Sequence, residues 1–141
     1  MSRESRRMAG ILLVILPTVV FGGVSVLTLL INDPEYQENA LRQDLWRAGH
    51  AHAGVLLILS LVALRYVDET NLSNRLKWFV REAIPASALL LPLGFFLSVL
   101  SPDATDPNAL IYLAYGGAVV LVAGLLVLGI GLIRKDDSQT T

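Results

Sequence analysis

The chain contains no cysteine and only two histidines among its 141 residues. The missing thiol excludes disulfide bonds, cysteine-based zinc sites, iron–sulfur clusters and cysteine nucleophiles. Charge is also scarce, since 16% of the residues are charged, against about 25% in an ordinary soluble domain. The formal net charge of −1 provides no basic surface of the kind that binds nucleic acid, so nucleic acid is not expected as a partner.

Hydrophobic residues, by contrast, make up 54% of the chain and are concentrated in four long runs. Each run is long enough to cross about 30 Å of hydrocarbon as an α-helix, which takes about 20 residues. The runs show no strand-like alternation of apolar and polar residues, so they are expected to form helices and not the strands of a barrel. A helix satisfies its own backbone hydrogen-bonding groups, as the lipid interior requires. The sequence therefore predicts an all-α fold, an integral membrane four-helix bundle in which residues 1–141 form one domain. The spans are expected at about 9–31, 48–66, 83–101 and 109–133.

The connections between the runs carry helix signals of their own. Asp33 followed by Pro34 is typical of a helix start, so the second helix is expected to begin near Pro34 and continue unbroken into its span. Residues 70–82 place apolar side chains on one face, which predicts an amphipathic helix on the inner membrane surface, capped by Asn71. A solvated connector is the alternative. The pair Asp106–Pro107 is expected to open the fourth helix.

The positions of the basic residues predict how the spans are oriented. Of the 11 lysines and arginines, nine flank the spans on the side of the N-terminus, and only Arg42 and Arg47 lie on the opposite side. Both termini are therefore expected in the cytoplasm, with the first and third loops outside. We expect a multi-pass protein of a cell membrane, the inner membrane of a bacterium or archaeon, with the lipid bilayer as its first partner.

The two histidines are the only ionisable residues in the stretch 48–64, near the predicted outer end of the second span. Ionisable groups in a membrane span are costly and are usually functional. His50 and His52 are two positions apart, which places them about 200° apart around a regular helix, so they cannot grip one metal ion together. Any site needs groups from other helices, and Tyr112 and Tyr115 begin the fourth helix on the same side.

The order Arg47, His50, His52 and Gly54 is similar to a ligand-bearing helix in the catalytic subunits of haem–copper oxidases and nitric-oxide reductases. It also resembles a His-x-His helix of small uncharacterised four-span membrane proteins. The resemblance covers residues 47–62 and implies that His50 or His52 ligates a haem or a metal such as copper. Those catalytic subunits bring further histidines from other helices, which this chain lacks, so a complete haem–copper site is excluded.

Other interpretations of the histidines require no cofactor. Each histidine could hydrogen-bond a carbonyl, a tyrosine or a headgroup with no cofactor bound, or it could handle a proton. Gly117, Gly124 and Gly131 are seven residues apart and line one helix face. This spacing predicts tight helix contact within the bundle or between copies, although a flat cofactor would use the same smooth face.

Three functions follow from these patterns. The first is a small membrane protein with a histidine-based haem or metal site at the outer end of its bundle, alone or as a subunit of a respiratory-type redox complex. The second is a non-catalytic accessory subunit that packs in a homo-oligomer or a larger membrane complex through the face of Gly117, Gly124 and Gly131. A small transporter or pore is disfavoured because no span carries charge at its middle. No complete catalytic constellation can be read, so an enzymatic activity is left open.

Overall fold

The structure, a computed structural model, describes residues 1–136 of the chain. Every regular element in that range is helical. The elements are α1 (Arg3–Asn32), α2 (Pro34–Glu38), α3 (Ala40–Val67), α4 (Asn74–Ser98), a 3₁₀ turn (Ala109–Ile111) and α5 (Tyr112–Asp136). Four stretches are long and apolar enough to cross a membrane, namely α1, α3, α4 and the 3₁₀ turn together with α5. The prediction of an all-α chain with four long apolar helices is confirmed.

The two central helices are α3 and α4, which pack against each other extensively. On the flanks, α1 packs mainly on α3 and α5 packs mainly on α4. Because α1 touches α4 at few points, a groove runs between these two helices. The most apolar stretch of α1 is only 6% buried, and large side chains such as Val14 and Phe21 are exposed along it.

Two clusters of buried apolar side chains hold the helices together. The first includes Leu57 of α3 and Leu91 of α4, and it extends to residues of both flanking helices. The second lies where α3 ends and joins Val67, Ile84 and Leu128 of three different helices. The core therefore follows the contact between α3 and α4, and it positions the side chains that project from α3.

The three regularly spaced glycines of α5 face α4 and the segment just before it. A Cβ atom added at Gly117 would lie 2.9 Å from Leu90, and one added at Gly124 would lie 3.0 Å from Ile84. An added Cβ atom at Gly131 would be similarly crowded, at 2.7 Å from the nearest side-chain atom. The predicted tight helix contact is thus present, and it lies within the bundle. Because α4 already covers this face, an accessory subunit would have to meet its partners through another surface.

The second helix does not run unbroken from Pro34, and that prediction is wrong. Asp33 caps α2 and Pro34 occupies its first turn as expected, but α2 ends at Glu38. The Oδ1 atom of Asn39 accepts a hydrogen bond from the backbone N–H of Arg42, which starts α3 afresh. The Nδ2 atom of Asn39 donates to two carbonyl oxygens of the α4–α5 loop. One side chain therefore caps a helix and fastens a distant loop.

Two other helix starts also differ from the prediction. Residues 74–82 are not a separate surface helix, because α4 begins after Ser73, whose side chain caps it, and continues through Pro85. Asn71 stays in the connector, next to Leu72, whose side chain packs at the glycine face of α5. At the other end of the bundle, Asn108 and not Asp106 caps the turn that leads into α5. In each case a tertiary contact decides which polar residue caps the helix.

Candidate functional site

His50 projects from the face of α3 that packs against α1. Gly22 and Gly23 make room for its ring, since a Cβ atom added at Gly23 would lie only 2.8 Å from the Nε2 atom of His50. The ring also lines an otherwise mostly apolar cavity of about 220 Å³ between α1, α3 and α4, which we call the His50 cavity. Gly22 and Gly23 therefore accommodate a side chain from α3, and the histidine is the most polar group on the cavity wall.

His52 lies on a different side of α3, as the two-residue spacing predicts. Its ring leans on Phe95 of α4, with ring centroids 5.2 Å apart, and the side chain is otherwise exposed. The Nδ1 atom lies 2.7 Å from the carbonyl oxygen of Ala48, one turn earlier. Because a carbonyl oxygen only accepts, Nδ1 donates this hydrogen bond, and in a neutral imidazole that tautomer has its lone pair on Nε2.

This hydrogen bond gives His52 the features of a ligand. Metal-ligating histidines commonly donate their other ring N–H to a backbone carbonyl, a carboxylate or a water molecule, which sets the tautomer and the ring orientation. In His52 the carbonyl of Ala48 takes that role, and Phe95 limits ring rotation. The ring of His52 is therefore held in one orientation at an exposed position of α3.

The predicted tyrosines and the predicted histidines have different aromatic neighbours. Tyr112 and Tyr115 contact each other at the start of α5, with ring centroids 5.8 Å apart, and both are largely exposed. Neither tyrosine lines the His50 cavity, and the aromatic neighbour of His52 is Phe95 instead. The difference has a simple cause, because α5 packs mainly on α4 whereas both histidines belong to α3.

Metal donors do not gather around either histidine. Within residues 1–136, no group of three or more histidine, cysteine, aspartate or glutamate side chains is placed to hold a metal ion. A bare zinc or copper ion is usually held by three or four protein ligands. Haem iron is already ligated by the porphyrin and takes only axial ligands from protein. Neither histidine therefore has enough side-chain donors beside it, within residues 1–136, to hold a bare metal ion in this way.

A buried cluster of arginine and aromatic side chains at the predicted outer end of the bundle was not foreseen from the sequence. Arg42 is 6% exposed, its Nε atom donates to the carbonyl oxygen of Val99, and its guanidinium lies 4.7 Å from the ring centre of Trp46. The ring of Tyr36 packs against Trp46, and burial raises the pKa of Tyr36, so its hydroxyl stays protonated. The four-residue spacing of Arg42 and Trp46 is the signal that could have revealed this contact.

A second unforeseen cluster lies at the opposite end and ties the N-terminus to α3 and α4. The carboxylate of Asp68 pairs with Arg81 at 2.6 Å and accepts the backbone N–H of Ser2, also at 2.6 Å. The Ser5 hydroxyl is buried between them and donates to Asp68. Burial would raise the pKa of Asp68, but the hydrogen bonds from Ser2, Arg81 and Ser5 outweigh it and lower the pKa to about 2.

Comparison with known proteins assigns neither a family nor a function to the chain. No protein-family model, no curated protein and no solved structure matches the chain.

Proposed function

We propose that this chain is a small multi-span membrane protein that holds a haem, with the Nε2 atom of His52 as an axial ligand. The observation that supports the proposal most directly is the hydrogen bond from Nδ1 of His52 to the carbonyl oxygen of Ala48. In the neutral ring it leaves the lone pair on Nε2, at an exposed position where α3 carries small residues. A role as an electron-transfer protein, alone or within a respiratory-type complex, follows from the cofactor.

The exposure of His52 means that the haem lies between chains. One side chain on a helix surface cannot enclose a porphyrin, so the opposite face of the haem needs a second protein surface. A second copy of this chain offers a second His52 and would complete a bis-histidine pair. A partner subunit with its own axial ligand would serve equally, and the haem content of the purified protein separates the two arrangements.

The first experiment is a visible spectrum of the protein purified in detergent from haem-replete cells. We expect a Soret band and reduced-minus-oxidised bands of a low-spin haem, with one haem for each pair of chains. His52→Leu should remove these bands, because the axial ligand is lost. Tyr112→Leu serves as the matched control, because it also replaces an exposed ring with leucine, and it should retain the haem bands.

Three outcomes would overturn the assignment of haem to His52. One is a colourless preparation, and another is copper without haem in a metal analysis. The third is retention of the bands in His52→Leu with their loss in His50→Leu, which would move the ligand to the other histidine. Size-exclusion elution of each variant at the position of the parent protein confirms that the bundle is intact.

The accessory-subunit function remains the second candidate, with a different surface from the one predicted. Its support is α1, whose apolar side chains Val14, Val20 and Phe21 are largely exposed along one helix. A colourless protein that co-purifies with a membrane complex, and loses it on Phe21→Ser, would favour this function. Loss of haem in His52→Leu with the complex intact would favour the first.

We also propose that the four long apolar helices cross the membrane with both termini in the cytoplasm. The support is the unequal distribution of lysine and arginine at the helix ends, nine against two of the 11 in the chain. Because the chain has no cysteine, single cysteines can report sidedness. An impermeant maleimide should label Asp103→Cys in intact cells and Asn71→Cys only after lysis, and the reverse pattern would invert the topology.

A further inference from the structure

The His50 cavity has the size and chemistry of a binding site for a ring. Its volume is about 220 Å³, whereas an apolar cavity of about 150 Å³ is enough to bind benzene. The wall is mostly apolar, with Leu57, Ala88 and Pro92 among its residues, and His50 provides a polar ring on it. A ligand that fits must be largely apolar and must offer a hydrogen-bonding atom to an imidazole.

The ring of His50 reaches the cavity wall beside the glycine pair of α1. The ring edge that carries Nε2 lies against Gly23, while Nδ1 is the ring atom nearest to Gly22. Gly22 lines the cavity together with His50. Within residues 1–136, it is the ring of His52 that hydrogen-bonds to the protein, at the carbonyl oxygen of Ala48. The ring of His50 is positioned by packing against Gly22 and Gly23, and a ring nitrogen can form a hydrogen bond with a ligand.

The cavity continues along the groove between α1 and α4. A second hollow shares Ile15, Leu57 and Leu89 with the His50 cavity. It leads to a third hollow through Met8 and Ile11. From Gly22 to Met8 the path follows α1 for about 21 Å at 1.5 Å per residue. The first two hollows are lined mainly by apolar side chains and suit a hydrocarbon tail attached to the ring, although Glu82 borders the second. The third hollow is lined by four charged residues, Glu4, Arg7, Arg81 and Glu82, so the tail is expected to end before it.

We infer that the His50 cavity and its groove bind an isoprenoid quinone, with a ring carbonyl accepting a hydrogen bond from His50 and the tail lying between α1 and α4. A phospholipid matches less well, because none of the described residues that line the cavity is a lysine or arginine that could bind its phosphate. The inference does not depend on a haem at His52, since the two side chains project from different sides of α3.

Trp46 supplies a built-in reporter for the test. Its ring lies 5.9 Å from that of Phe96, which lines the cavity. The chain has two tryptophans, so Trp78→Phe leaves Trp46 as the sole emitter. We expect a decyl-tailed benzoquinone, added to the purified protein, to quench this emission saturably. Decylbenzene, which has the tail and ring but no carbonyl, is measured by competition, and it should displace the quinone and restore the emission only at concentrations at least several-fold higher.

Two variants in the same Trp78→Phe background test the site. His50→Leu should weaken the benzoquinone about fivefold to tenfold, the loss typical of one hydrogen bond. Ala53→Phe should fill the cavity and abolish saturable quenching, and Tyr112→Leu should match the parent as a control. Equal binding of decylbenzene and the quinone, or unchanged affinity in both His50→Leu and Ala53→Phe, would overturn the inference. A visible spectrum of each sample shows separately whether haem is retained.

Discussion

At the scale of single residues, the structure gives the two histidines different surroundings. His50 is held by the shape of α1, where Gly23 leaves room for its ring. His52 is held by a hydrogen bond within its own helix, to Ala48, and by contact with Phe95. The first therefore depends on packing between helices, and the second depends on its own helix and one neighbouring ring.

Gly23→Ala should destabilise the protein by about 1–3 kcal/mol, the usual cost of overpacking. The added Cβ atom would lie 2.8 Å from the His50 ring, which would have to move. Gly10→Ala is the matched control on the same helix, because a Cβ atom there meets nothing within 4 Å. The midpoints of thermal unfolding in detergent measure both effects.

A double-mutant cycle shows whether the cost arises from the histidine. In a His50→Ala background, Gly23→Ala should lose most of its effect, because the crowded partner is gone. If Gly23→Ala costs the same with and without the His50 ring, the contact between them is not what the substitution disturbs.

At the scale of helices, the closest contact in the bundle joins α4 to α5. A Cβ atom added at Gly94 would lie 2.4 Å from the backbone nitrogen of Ala114, and backbone cannot turn aside as a side chain can. Gly116, two residues further along α5, has nothing within 4 Å of an added Cβ atom. Gly94 thus allows two helices to approach closely, whereas Gly116 faces open space, and the sequence pattern does not show this difference.

Alanine at these two positions should change stability in opposite directions. Gly94→Ala should lower the unfolding midpoint strongly, because the two helices must separate. Gly116→Ala should leave the midpoint unchanged or raise it, since alanine favours the helix over glycine by up to about 1 kcal/mol in free energy of unfolding. Denaturation by sodium dodecyl sulfate, followed by circular dichroism, measures both, and a tolerated Gly94→Ala would contradict the close approach of α4 and α5.

At the scale of the whole molecule, the cluster around Asp68 fastens the start of α1 to the end of α3 and the beginning of α4. The ion pair between Asp68 and Arg81 is well buried, with 14% and 13% of the two side chains exposed. The pair formed by Asp44 and Arg47 is exposed instead, with 72% and 57% of the side chains accessible. Exposed pairs of this kind contribute about 0–1 kcal/mol.

Stability should fall in acid because the pKa of Asp68 is about 2 in the folded protein, below its ordinary value of 3.8. A carboxylate with a lowered pKa stabilises the fold above its unfolded pKa, and this contribution is lost as the pH falls from about 4 to about 2. The contribution at neutral pH is about 2 kcal/mol.

Unfolding midpoints measured across this pH range in detergent test the assignment. Asp68→Asn should lower the stability at neutral pH and flatten the decline between about pH 4 and 2. Asp44→Asn, which removes the exposed pair, should leave both nearly unchanged. An acid decline that is as steep in Asp68→Asn as in the parent would locate the titrating group elsewhere.

The local pattern of the sequence was enough to predict the helical architecture. Apolar run length predicted four long helices near their observed positions, and the seven-residue spacing of glycines on α5 predicted a tight contact. The two-residue spacing of His50 and His52 predicted that they diverge. These features follow from helix geometry, in which residue spacing alone sets direction.

Only the tertiary structure decided which elements meet. It placed α4 on the glycine face of α5 and set the helix starts at Asn39, Ser73 and Asn108. It paired Tyr112 with Tyr115 and kept both off the wall of the His50 cavity. It also revealed the partners of Asp68, which are distant in sequence. Spacing along a helix determines direction, but the neighbour in that direction depends on how all the helices pack together.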